Sequence, residues 1–293
     1  MGIVDRQVIP RTLAQAARLE GREDWLGPLP ALIRQVASQW SLSVGDPYQP
    51  GGHTAWVAPA FDRSGRRLAL KVARWHSEAA DEAAGLRAWA GHGTVQLHAV
   101  SELGDTTVLL LERCEPGTPL ADLAEPEQDH VVAKLLHRLW IEPARGHSFR
   151  PLQQMCAEWA DQFEREAAAR HGAGDPGLAR AAIALFRELP ATADRNVLLC
   201  TDLHAGNILA AQREPWLVID PKPYVGDPTY DVLQHMLNCD QRLLTDPRGF
   251  AHRMAALLGL DQHRLLLWLF ARCIQESPGW PALAEVARRI APR

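Results

Sequence analysis

Lysine is nearly absent from this chain of 293 residues. Of its 31 basic residues only Lys71, Lys134 and Lys222 are lysines. Where generic positive charge will do, the sequence uses arginine, so each lysine raises the question of what a compact ammonium on a flexible stem alone supplies. Cysteine is sparse too: Cys114, Cys156, Cys200, Cys239 and Cys273 show no C-x-x-C spacing. That argues against a disulfide framework or a zinc site and suits a reducing, cytoplasmic compartment. The apolar run 265–271, the longest toward the C-terminal end, is far too short to span a bilayer. Asp5 and Arg6 come early, with no apolar signal-peptide core behind them. A net charge of −4 gives no reason to expect nucleic acid or an anionic membrane as partner. The absence of G-x-x-x-x-G-K-[ST] excludes a Walker-type phosphate loop. What is present is an ordinary globular composition, 47% hydrophobic and 23% charged, in a chain long enough for one large domain or two lobes.

Within it, the stretch 198–220, LLCTDLHAGNILAAQREPWLVID, organises the rest. An apolar run at 197–199 delivers Asp202 into a turn. Asn207 follows five residues later and opens a second apolar run, 207–211; a polar turn at 212–215 leads to a third, 216–219, ending at Asp220. If 207–211 and 216–220 pair as a hairpin, Asn207 faces Asp220 across the about 4.5–5.5 Å of directly opposed residues. An amide oxygen and a carboxylate oxygen then share one cation, as Mg2+ is commonly held together with substrate phosphates. Asp202 is left to accept a proton from a hydroxyl, which completes the parts of a phosphoryl-transfer site. Two other readings stand beside this one. Asp and Asn gather in turns to satisfy local backbone groups, and Asp202, His204 and Asp220 together suit a metal-dependent hydrolase. A single histidine such as His204 is, however, more readily a hydrogen-bonded structural residue.

The run C-T-D-L-H-A-G-N-I-L, followed by V-I-D-P-K-P and G-D-P-T-Y-D, resembles the aminoglycoside phosphotransferase family, and within it the branch of streptomycin 6-phosphotransferases and hydroxyurea phosphotransferases. The resemblance implies an α+β, bilobal protein-kinase-like fold with a small antiparallel-sheet N-lobe and a mainly helical C-lobe. It implies transfer of phosphoryl from ATP, with Mg2+, to a hydroxyl of a small, cationic, streptomycin-like antibiotic; hydroxyurea or another hydroxyl metabolite is the alternative acceptor, and a nucleotide-binding scaffold without catalysis the alternative class. It carries Asp202 over as catalytic base, Asn207 and Asp220 as magnesium ligands, and Asp231 as a buttress behind the catalytic loop, with His204 beside it. Cys200 departs from the histidine many relatives have two residues before the base. Pro221 and Lys222 stand where protein kinases have Phe-Gly after the metal aspartate, so regulation by flipping that segment is not expected.

Residues 1–112 are expected to form the nucleotide-binding lobe. A peripheral helical extension, 1–40, carries apolar Leu32, Ile33, Val36, Ala37 and Trp40 on one face after Pro30. Short alternating runs at 42–45, 54–61, 67–73, 95–100 and 106–111 predict five mostly antiparallel strands. A helix over 77–90, capped by Ser77, is inserted after the third. Gly51 and Gly52 suit either a phosphate-covering loop or a plain hairpin turn. In the kinase arrangement Lys71, on the third strand, holds the α- and β-phosphates and is itself held by a helix glutamate; Glu82 resembles that residue, with Glu78 one turn earlier as the alternative. The segment 113–119 reads as a hinge broken by Pro116, Gly117 and Pro119, and backbone groups near Glu112 and Cys114 are placed to meet adenine.

From 120 to 293 the chain reads as a helical lobe, with helices at 127–140, 152–170, 178–189, 250–258, 262–275 and 281–290. His130 and His137 share a helix face without carboxylate partners, and Trp268 and Trp280 read as core. Asp227 and Pro228 form a helix start, with Asp227 as N-cap. Asp240 and Glu276 are candidates for the acidic wall that receives a cationic acceptor.

Overall fold

The computed structural model describes residues 9–169 and 175–292. The chain forms two compact units, one of residues 1–117 with 211–213, the other of 118–210 with 214–293. The division falls between Gly117 and Thr118, inside the segment expected as a hinge.

The first unit runs α1 (Arg11–Leu19), α2 (Glu23–Leu26), α3 (Leu29–Gln39), β1 (Ser43–Val44), β2 (Ala55–Phe61), β3 (Arg67–Arg74), α4 (Glu82–Trp89), β4 (Leu97–Leu103) and β5 (Thr106–Glu112). The five strands make one antiparallel sheet in the order β1-β2-β3-β5-β4. Because side chains alternate across a strand, Trp56, Ala58 and Ala60 of β2, Leu68, Leu70 and Val72 of β3, and Val108 and Leu110 of β5 share one face. That face is covered by Leu13, Trp25, Leu29, Ile33 and Val36 of α1–α3. The helical extension is therefore not peripheral: it supplies five of the thirteen buried side chains of this core cluster, each contributing about 1.5–3 kcal/mol on burial. The Trp25 indole N–H also donates to Thr106 Oγ1 at 2.8 Å. Lys71, pairing with Val57 and Leu109, points to the opposite face of the sheet.

The helix after β3 is shorter than expected. Ser77 opens a single 3-10 turn, Ser77–Ala79, without capping it, and α4 begins only at Glu82. This puts Glu82 in the first turn, where the exposed N–H groups favour a carboxylate.

The second unit runs α5 (Glu125–Leu139), α6 (Leu152–Ala169), α7 (Pro176–Glu188), β6 (Val197–Leu199), β7 (Ile208–Ala210), β8 (Trp216–Val218), β9 (Tyr224–Gly226), α8 (Leu233–Asn238), α9 (Asp240–Thr245), α10 (Pro247–Leu258), α11 (Gln262–Glu276) and α12 (Ala282–Ile290). Two small antiparallel ribbons, β6–β9 and β7–β8, sit among the helices. Phe186, Tyr230 and Trp268 stack into the core, the last two in an edge-to-face pair at 5.1 Å. Asp227 caps the turn it opens by accepting the Thr229 N–H, and is held in addition by Arg264 and by the Trp268 indole. Trp280, expected in the core, is only half-buried, and His130 and His137 are exposed. A buried carboxylate, Asp129 of α5, gathers His235, Arg242 and Arg253 from α8, α9 and α10. Burial raises the pKa of such a group, but these three donors outweigh it and hold the carboxyl well below its usual range.

Candidate active site

In the first unit the face of β3 opposite the α1–α3 core carries a buried ion pair. Lys71 Nζ lies 2.7 Å from both oxygens of Glu82, and both side chains are almost wholly buried. Glu78, the other candidate partner, has a side chain outside the described residues. Glu112, at the end of β5, donates its N–H to Gln96, while its carboxylate takes the guanidinium of Arg213 and the Gln96 N–H. Cys114 follows, half-buried, its thiol pushed up to about 12 by burial. Gly51 has a local reason to be glycine. Its φ is +85°, and a Cβ there would stand 2.5 Å from the Cβ of Pro10. Nothing comparable crowds Gly52, where a Cβ would meet only the Ala55 carbonyl at 3.8 Å.

In the second unit β6 ends at Leu199 and the chain turns sharply. Thr201 holds φ +52°, a left-handed conformation that a β-branched residue adopts only under constraint, at a cost of about 1–3 kcal/mol. Asp231 supplies the constraint. Its buried carboxylate accepts the Cys200 N–H (3.1 Å), the Thr201 N–H (2.6 Å) and the Trp140 indole N–H (3.0 Å). Burial raises this carboxyl to about 6, and the three donors pull against that rise. The Thr201 hydroxyl donates to the Lys222 carbonyl at 2.5 Å, and the Cys200 carbonyl accepts both the Asp202 and the Lys222 N–H. Cys200 thus supports the loop through its backbone; its fully buried thiol stays protonated, pushed well above its ordinary value by burial.

Asp202 emerges from this turn with two contacts on one oxygen. Lys222 Nζ approaches Oδ2 to 2.8 Å, and Asn207 Nδ2 reaches it at 3.4 Å while donating to the Asp202 carbonyl at 3.1 Å. With its nitrogen committed, the Asn207 amide turns its oxygen the other way. His204 Nδ1 accepts the Gly206 N–H, and burial lowers the ring's pKa below its ordinary value, so the imidazole is neutral at pH 7. Asp202 and Asp220 oppose that shift, and both also act on Cys200, which puts the Asp220 carboxylate beside the same loop.

The ribbon, however, is in a different register from the one the sequence suggests. Ile208 pairs with Val218, Leu209 with Leu217 and Ala210 with Trp216, so Asn207 falls opposite Ile219, whose N–H donates to its carbonyl at 2.9 Å. The reason is the connection: Ala211 leaves the strand, making the link five residues, 211–215, and each residue added moves the pairing by one. Asp220 lies one residue beyond the pairing, in a left-handed conformation of its own, φ +53°, which Asp tolerates better than most residues.

Asp240 is exposed and accepts its neighbour's N–H from Gln241, while Glu276 is paired with Arg272 at 2.8 Å. The contact that sequence reasoning did not reach is Lys222 with Asp202; the scarcity of lysine was its signal. Asn207 and Asp220 offer hard oxygen donors of the kind Mg2+ takes alongside phosphate oxygens. Among the described residues no three His, Cys, Asp or Glu side chains converge as an all-protein metal cage requires, which counts against a hydrolase built on Asp202, His204 and Asp220. Among those residues, too, no helix is long and apolar enough to cross a membrane.

The chain is similar to known proteins. The model of the aminoglycoside/hydroxyurea antibiotic resistance kinase family matches residues 39–282. A streptomycin 6-kinase of Streptomyces glaucescens is 32% identical over 281 residues, 92% of this chain and 89% of its own length. A hydroxyurea phosphotransferase of Kitasatospora aureofaciens is 36% identical over 260 residues, 87% of this chain and 74% of its own. A crystal structure of a choline/ethanolamine kinase family protein from Mesorhizobium loti superposes with a TM-score of 0.59 at 16% identity, covering 84% of this chain and 87% of that one. The fold is accordingly the protein-kinase-like α+β fold, one unit an antiparallel sheet and the other mainly helical. The chain belongs to the aminoglycoside/hydroxyurea antibiotic resistance kinase family.

Proposed function

We propose that this protein is a kinase that transfers the γ-phosphoryl group of ATP to a hydroxyl of a streptomycin-like aminoglycoside. The observation that carries the reading is the setting of Asp202. Lys222 and Asn207 both approach Oδ2, and among the described residues Oδ1 is left to accept the proton of an incoming hydroxyl. Asp231 and the constrained Thr201 hold the loop so that this oxygen is aimed before substrate arrives, which is where positioning contributes to rate. Asn207, through its amide oxygen, and Asp220 are the residues to hold Mg2+, which when bound neutralises charge on the phosphates. Lys71, kept in place by Glu82, neutralises the α- and β-phosphates. Since the Glu112 N–H and carboxylate are already bonded, adenine is met beyond it, by the backbone of Arg113 and Cys114. The five free cysteines suit a reducing cytoplasm.

Hydroxyurea is the second acceptor class, favoured by the 36% identity to a hydroxyurea phosphotransferase. A coupled assay of ADP release against streptomycin, other aminoglycosides and hydroxyurea, with wild type and Asp202→Ala side by side, decides between them. Acceptor-dependent ADP formation is expected, with a phosphoester product visible by phosphorus NMR. Loss of the base should cost about 10²–10⁴ in kcat; turnover that survives Asp202→Ala removes the assignment.

A further inference from the structure

We infer that Arg213 is a positioning residue for the nucleotide: by clamping the Glu112 carboxylate and the bend 91–94, it fixes the backbone of Arg113 and Cys114 where adenine is to be met. This rests on the kinase reading above and adds to it the group that aims the adenine contacts.

Arg213 comes from the link 211–215, of which residues 211–213 belong to the first unit, and its guanidinium shows why. Nε donates to Glu112 Oε1 at 2.9 Å and Nη2 to Oε2 at 2.8 Å. Nη1 donates to the Gly91 carbonyl at 2.7 Å, and Nη2 to the Thr94 carbonyl at 2.8 Å. One guanidinium therefore joins the end of β5 to the bend that leads into β4. Its planar fork suits the task, since it spans a carboxylate and two carbonyls that a compact ammonium would not reach together.

What the clamp fixes is the last residue before the backbone assigned to adenine. The β4–β5 ladder shifts register between Leu97 and Ala99 and pairs Leu97 with Leu111 at its end. On that side Glu112 is held through Gln96, whose carbonyl accepts the Glu112 N–H at 2.8 Å and whose N–H donates to the Glu112 carboxylate at 3.0 Å. Arg213 grips that same carboxylate. Further on, Arg113 lies over the Phe61 ring at 5.7 Å, and Glu115 is paired with Arg67. Arg113 and Cys114 are thus strung between two anchored residues. Hydrogen bonds to a purine edge need groups held to a fraction of an ångström, and a segment tied at both ends has little freedom left to lose when the nucleotide binds.

The clamp is poorly explained as a stability device. The Arg213 and Glu112 side chains are 31% and 16% exposed, a setting in which an ion pair contributes little. The link itself, Ala-Gln-Arg-Glu-Pro, has no large apolar side chain to bury.

The test uses the full chain with the acceptor found by the screen and three ligands: Mg·ATP, Mg·ADP and magnesium tripolyphosphate, which has phosphates but no adenine. Arg213→Met keeps a flexible stem and removes the fork. Its KM for ATP is expected to rise about tenfold, the cost of one misaimed hydrogen bond. Its kcat at saturating ATP should stay within about threefold of wild type. Calorimetry supplies a readout independent of turnover: affinity for Mg·ADP should fall about as far as the KM rises, while affinity for tripolyphosphate stays within about threefold. Glu112→Gln should weaken ADP as well, and the double variant should be no weaker than the worse single one, because both act on one clamp. Arg213→Lys should recover little of the loss.

An Arg213→Met variant that binds Mg·ADP as wild type does overturns the inference. So does an equal weakening of ADP and tripolyphosphate, or a pair of losses that add in the double variant. Should Arg213→Met not fold, Glu112→Gln carries the same comparison of the two ligands. A wild type that binds no Mg·ATP and forms no ADP with any acceptor defeats the kinase reading and this inference with it, a result distinct from an active wild type indifferent to Arg213→Met.

Discussion

Ile219, and not Asp220, stands opposite Asn207: the Ile219 N–H donates to the Asn207 carbonyl at 2.9 Å, and Asp220 comes next with φ +53°. The carboxylate proposed for magnesium is therefore aimed by a left-handed backbone rather than by cross-strand pairing. Two substitutions separate the backbone from the charge. Asp220→Asn retains a residue type that accepts this conformation, so its melting temperature should stay nearer to wild type. Asp220→Ala adds a left-handed cost of about 1–2 kcal/mol. Both should abolish Mg-dependent turnover, and calorimetry beside the ADP assay reads the two effects apart.

Asp231 makes a testable statement about pH. Burial raises its carboxyl from 3.8 to about 6, so between those values the folded chain holds a proton that the unfolded chain has released. Stability from this group is then fully present below about pH 4 and lost as pH rises through about 6. Asp231→Asn cannot titrate. It leaves one of the three N–H donors without an acceptor, for a loss of about 1–3 kcal/mol, and the wild type's advantage over it should shrink as pH is raised from 4 to 6.5. Melting curves across that range check the slope, and a gap that widens contradicts it.

The Lys71–Glu82 pair should behave as a unit. Removing either partner leaves the other charge buried, at about 3–5 kcal/mol. Lys71→Met and Glu82→Gln should each destabilise the chain strongly, and the double variant by clearly less than their sum. Activity should not return in the double variant, because the phosphates have lost their lysine. Denaturant titrations of all four proteins give the coupling.

Gly51 distinguishes a phosphate contact from a packing constraint. Gly51→Ala meets Pro10 at 2.5 Å and sits at φ +85°, so it should lower stability by more than the about 1 kcal/mol of the backbone penalty alone. Pro10→Gly in the same chain should relieve the steric part. If Gly51→Ala leaves stability alone and raises only the KM for ATP, the loop works on the nucleotide instead.

Much of this protein was legible in its residues because the signals are local. Period-two runs give the five strands of the sheet, and three- and four-residue spacing gives α5, α6, α7, α10, α11 and α12. The spacing of Asp202, Asn207 and Asp220 belongs to one contiguous stretch, and the pairing of Lys71 with Glu82 spans only eleven residues. What escaped is what depends on partners distant in sequence or on a count of one residue. Whether Ala211 is strand or link cannot be read from its side chain, yet it decides which residue faces Asn207. The burial of the sheet by α1–α3 depends on which face their apolar stripe finds. Asp129 draws its hydrogen-bond partners from positions more than a hundred residues away. Thr201 takes a conformation its type disfavours because Asp231, thirty residues on, holds its N–H. Composition and spacing named the chemical groups; the long-range hydrogen bonds set their orientations, since only a folded chain can hold a strained backbone in place.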